Sequence, residues 1–203
     1  MKLSKGILRN NLIALAIHAA VSAAAFFCIY IVLALVSAVI YELISPNFSE
    51  IFLIIAGASV VALSFAAYVF AGYRFLRPLS RWNLLSIVFP GLFFALVTAV
   101  GLVSTTFWHN EAVSYIAAII TGLFNFPAFV TLSFSSSLFG GGGLDFGSSA
   151  EGATAFIMFM PSTMLPSILV YVGLRLKIGK NNRAAKNLDN GEESSDGCTP
   201  SDR

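Results

Sequence analysis

Acid–base, nucleophilic or metal chemistry in this 203-residue chain would have to come from two histidines, two cysteines, ten acidic residues and scattered serines. Their spacing works against all three. His18 lies in a long apolar stretch near the N-terminus, while His109 stands beside Asn110 and Glu111 far along the chain. A histidine two positions from a carboxylate offers two ligands of unequal reach, short of the three or four a metal centre needs. No HExxH or GxSxG occurs, and the serines of 133–137 and 148–149 have no base nearby in sequence. Asp145 is the only aspartate before the C-terminal tail, so a membrane-protease aspartyl pair is excluded. Gly140–Gly143 lacks the lysine and hydroxyl residue that complete a phosphate loop. The expectation is a non-enzyme with no catalytic residue, no cofactor and no metal. Cys28 and Cys198 are too few and too far apart for a disulfide framework.

Three sets of residues still carry a candidate role. Gly122, Asn125 and Pro127 interrupt an apolar segment near its middle. Proline has no amide hydrogen, so the helix should break there, and Asn125 would bond to freed backbone or to a ligand lining a path. Gly91, Ala95 and Ala99 recur at four-residue spacing, the pattern of a helix face that admits a close neighbour. Arg74, Arg77 and Arg81 form a basic cluster suited to anionic lipid head groups, although their role as topology anchors explains them fully. His18 is a functional candidate because it is ionisable within an apolar span. Without a second intramembrane acid or base to pass a proton on, a hydrogen bond to a carbonyl or water near the inner boundary is the preferred account.

The elements that must position these residues follow from composition. Hydrophobic residues make up 57% of the chain and charged residues 11%, with a mean hydropathy of +0.83. Soluble domains carry about 25% charged residues. Residues 10–41, 51–73, 82–110, 112–144 and 152–174 contain no Asp, Glu, Lys or Arg. A domain of this size cannot bury so much apolar surface in water. The fold class is therefore an all-α integral membrane protein, with one crossing per twenty or so residues. Four helices are expected to cross, over 12–41, 51–73, 84–104 and 153–174. Ser45-Pro46-Asn47 ends the first, and Pro90-Gly91 is expected to kink the third. The segment 112–139 is expected to be re-entrant or broken at Asn125-Phe126-Pro127, with a kinked fifth crossing as the alternative.

Orientation comes from the basic residues. Eleven of the twelve fall at 2–9, 74–81 and 175–186, whereas 42–50 and 105–152 hold none and carry five acids. Basic short loops mark the cytoplasmic side. Four crossings put every basic cluster inside; five would leave the last one outside. Tyr73, Trp82 and Tyr171 then sit at inner boundaries, and Tyr41, Phe107, Trp108 and Tyr115 at outer ones. The expected organisation is a cytoplasmic N-terminus (1–11), a transmembrane domain (12–176) and a disordered cytoplasmic tail (177–203). The net charge of +2 marks no nucleic-acid surface, because the basic residues flank apolar spans. Expected partners are the lipid bilayer, other membrane proteins or a second copy. Two functions stay open: an accessory or interaction protein of the cell membrane, favoured by the lack of intramembrane acids, and a small oligomeric transporter or permease component with its path at 112–139.

Overall fold

The computed structural model describes residues 2–79, 83–108, 111–126 and 149–193, and over these it is all-helical, with no strand. Two helical stretches, Lys5–Leu43 and Pro46–Phe75, are long and apolar enough to cross a membrane; Val88–Gly101 is apolar but shorter. The first is built from α1 (Lys2–Phe26), a π-helical segment (Phe27–Leu33) and α2 (Ala34–Leu43), end to end. At 1.5 Å per residue the rod is about 60 Å long. It begins ten residues before the expected start of the span at 12, so the basic segment Lys5–Arg9 is helical too. The turn between α2 and α3 (Pro46–Phe75) is set by local chemistry. Ser45 adopts extended backbone (φ −169°, ψ 154°) and its Oγ accepts from Phe48 N at 3.2 Å, while Pro46 takes the first helical position. Ser45-Pro46 thus ends one helix and starts the next. Ser37 and Ser49 then tie the hairpin across its two arms, Oγ to Oγ at 2.6 Å.

The closest helix crossing joins α3 to the last helix, α6 (Ser149–Glu193). A methyl group added at Gly72 would overlap Val170 O, and one added at Gly173 would overlap Val69 O. Glycine is required on both sides because backbone packs on backbone. Around this crossing lie Ala14 and Ile17 of α1, Tyr68 and Ala71 of α3, and Val170 and Leu174 of α6. Lys177 donates from Nζ to Leu76 O at 2.9 Å, closing the C-terminal end of α3 with a cation.

Two asparagines of α1 hold the connection from α3 to α4 (Val88–Trp108). Asn10 Nδ2 donates to Arg77 O at 2.8 Å and to Ser86 Oγ at 3.3 Å, and Asn10 Oδ1 accepts from Arg77 N at 3.4 Å. Asn11 Nδ2 donates to Leu85 O at 3.2 Å and its Oδ1 accepts from Phe89 N at 3.3 Å. Residues 83–87 form turns, and α4 starts only at Val88. This corrects the expected kink: Pro90 stands in the first turn of α4, where its missing N–H costs the helix nothing. Helix α5 (Glu111–Phe124) pairs with α4 through Thr98 and Thr121, whose hydroxyl oxygens are 3.2 Å apart. Helix α6 runs past 177, where the tail was expected to turn disordered, and continues to Glu193. Large apolar side chains on the rod and α3 remain uncovered, among them Leu35 (65% exposed) and Leu63 (69% exposed).

Candidate functional site

Polar side chains meet inside the bundle where α1, α3, α5 and α6 converge. Ser22 follows His18 by four residues on α1, and Ser167 follows Thr163 by four on α6, so each pair shares a helix face. His18 is fully buried, and its Nε2 shares a hydrogen bond with Ser167 Oγ at 3.1 Å. Its ring packs between Tyr68, 5.3 Å away between centroids, and Phe94, 5.5 Å away. Ser22 Oγ lies 3.5 Å from Tyr68 OH and accepts from Phe126 N at 3.1 Å. Asn125, also fully buried, donates from Nδ2 to Thr163 O at 2.8 Å. Two atoms of this cluster, His18 Nδ1 and Asn125 Oδ1, have no hydrogen-bond partner among the described residues. Buried polar atoms are nearly always paired, so each marks a place where water or a ligand would be favoured.

The cluster surrounds the end of α5. The last rung of that helix is Asn125 N to Thr121 O, at 2.8 Å. The next amide, Phe126 N, turns aside to Ser22 Oγ, and residue 127 is a proline without an amide hydrogen. The carbonyls of Gly122 and Leu123 thereby lose the partners an unbroken helix would supply. Together with Asn125 Oδ1 they make the end of α5 rich in acceptors and, among the described residues, free of formal charge. Asn10 lies twelve residues before Ser22 on α1, which puts the break about 18 Å from the Asn10 end of the bundle. Phe26 and Tyr30 pack on Phe126, with centroids 5.4 and 5.5 Å away, so the break abuts the start of the π-helical segment. Chemically the arrangement offers acceptors and one imidazole. His18 and Ser167 put a base beside a hydroxyl, but among the described residues no third group orients the ring through Nδ1, and no group of three metal-ligating side chains occurs.

The residues singled out from sequence that fall among the described ones have definite places. Asn125 is the bend, while Leu123 and Phe124 still belong to α5 and Phe126 resumes helical geometry. Over its described part, the break expected at Asn125-Phe126-Pro127 is thus confined to Asn125. Gly122 is half-buried and no described atom would come within 4 Å of an added methyl group; Pro127 lies outside the described residues. Gly91 and Ala95 are buried and Ala99 half-buried, with Gly91 facing Ser167, whose Oγ would stand 2.9 Å from an added Cβ. The face therefore meets α6 within the same chain. Arg74 and Arg77 have exposed side chains; Arg77 is held by its backbone to Asn10, and Arg81 and His109 lie outside the described residues.

Sequence reasoning missed the partnership of His18 with Ser167 and of Ser22 with Phe126. The signal available was the stripe Asn10, Ala14, His18, Ser22, a polar and small face at four-residue spacing that an apolar helix has no reason to carry unless it packs inward. No family model, no curated protein and no solved structure matches this chain.

Proposed function

We propose that this is a multi-pass protein of the cell membrane acting as an accessory or interaction component, its bundle seated in the bilayer and its last helix reaching a partner. In this reading the α1–α2 rod, α3, α4 and α6 cross, the segment that begins with α5 enters and breaks, and both termini lie in the cytoplasm. The clustering of basic residues at 2–9, 74–81 and 175–186 supports that orientation. The observation that carries the accessory role is the extension of α6. The helix leaves the core after Ile178 and continues to Glu193, with the side chains of 179–185 exposed. The exposed stretch 179–185 alone offers a partner about 10 Å of helix. Beyond Gly179 the helix carries Lys180, Arg183 and Lys186, then Asp189, Glu192 and Glu193, so its charge reverses along its length.

The test is a chain ended after Ile178. In mild detergent the intact protein should retain a partner in fixed proportion, and the shortened chain should purify alone with the same unfolding temperature. A partner retained equally by both, or by neither, rejects the reading.

One observation favours transport as a second reading: an uncharged, acceptor-rich break at Asn125 deep in the bundle, since discontinuous helices are where transporters place their sites. A neutral solute such as glycerol should then swell vesicles containing the protein, and Asn125→Leu should abolish the effect. Absence of flux in the wild type rejects it.

A further inference from the structure

Two apolar grooves run side by side along the first half of α1, separated by the ridge of Leu8 and Leu12, which are 61% and 57% exposed. One, of about 390 Å³, is a shallow open furrow on the surface of α1 alone, with Lys5 and Arg9 at one end and Ile13 and Ala16 further along. The other, of about 310 Å³, is bounded by Ile7, Asn11, Leu15 and Phe89. From Lys5 to Ala16 the helix rises about 16 Å, the depth of one leaflet of a hydrocarbon core about 30 Å thick. Lys5 and Arg9 are one turn apart on the same face, so their like charges repel unless an anion lies between them. Neither is paired with a carboxylate among the described residues, and the first acid of the chain, Glu42, stands at the opposite end of the same rod.

We propose that this face binds one anionic glycerophospholipid of the inner leaflet, with its phosphate between Lys5 and Arg9 and one acyl chain in each groove. The inference rests on α1 crossing a membrane from its basic end. It moves the lipid head-group role from Arg74, Arg77 and Arg81 to Lys5 and Arg9, which border an apolar groove. The grooves supply chain contacts common to any phospholipid, whereas the two basic side chains discriminate by charge. Two such residues at a membrane surface correspond to a preference of roughly thirty-fold.

The experiment uses the full chain in detergent, with phosphatidylglycerol or phosphatidylcholine added and bound lipid counted by native mass spectrometry. Wild type should favour phosphatidylglycerol by roughly thirty-fold. In the double variant Lys5→Gln/Arg9→Gln the preference should vanish, while Arg74→Gln/Arg77→Gln should keep it. Ala16→Trp, which fills the larger groove, should weaken both lipids alike. Equal binding of the two lipids by wild type overturns the site, as does equal loss in both arginine-containing double variants. Competition by inorganic phosphate as effective as by the phospholipid means an anion site without acyl recognition and overturns it too. Flotation with vesicles separates the two levels of failure. Protein that does not float fails the membrane reading itself, and protein that floats but shows no lipid preference fails only the site.

Discussion

A methyl group at Gly72 would collide with Val170 O, and one at Gly173 with Val69 O, so neither glycine admits a larger residue unless α3 and α6 separate. Overpacking a core costs about 1–3 kcal/mol, and rigid backbone on the receiving side places these sites at the upper end. Gly72→Ala and Gly173→Ala should each lower the unfolding temperature in detergent, whereas Gly179→Ala, with nothing within 4 Å, should not. Equal temperatures for all three would show that the crossing is looser than described. His18 presents a separable pair of contributions. Ser167→Ala removes one hydrogen bond, worth about 0.6 kcal/mol on average within membrane proteins. His18→Ala removes the same bond together with the packing against Tyr68 and Phe94, and should cost at least about 2 kcal/mol more. Reversible unfolding in mixed detergent reads the difference; equal losses would mean that the ring contacts contribute nothing.

At the scale of elements, the described parts of the connection from α3 to α4, 76–79 and 83–87, are tied to α1 as well as by their own turns. Asn10 and Asn11 bond to Arg77, Leu85, Ser86 and Phe89, replacing the helical partners this stretch lacks. Asn10→Ala should therefore speed amide exchange at Arg77 without unfolding α3 or α4, and unchanged exchange would reject the clamp. Helix α4 tests a second kind of contact. Ala95 is 5% exposed on an inward face, and Leu96, about 100° round the helix, is 64% exposed. Ala95→Phe should destabilise by about 1–3 kcal/mol and Leu96→Ile far less. Equal stability of wild type and Ala95→Phe would mean that this face merely meets lipid. The break in α5 belongs here as well. A proline removes an amide, but what ends the helix one step earlier is Ser22 of α1 accepting the amide of Phe126.

For the whole molecule the open quantity is orientation. Four crossings with a broken segment place both ends on the cytoplasmic side. In a Cys28→Ser variant Cys198 is the sole thiol. A membrane-impermeant maleimide should leave it unlabelled in intact cells and label it after permeabilisation. Labelling without permeabilisation would require five crossings, with the basic cluster at 175–186 outside.

The all-helical class and the turn at Ser45-Pro46 were legible in the residues themselves. Each depends on local chemistry along the chain: continuous apolar runs, and a cap followed by proline. The kink at Pro90 was misread because a proline's effect depends on its distance from the helix start, and that start was set by Asn11 holding Phe89 from another helix. The same limit hid the Gly72–Gly173 crossing, for one glycine on each of two helices shows no spacing pattern in sequence. His18, Ser22, Asn125 and Ser167 lie more than a hundred residues apart at their extremes, and no local pattern pairs them. Only the packing of α1 against α5 and α6 decided which of their polar atoms are shared and which two stay without a partner, because a buried hydrogen bond is specified by three-dimensional position.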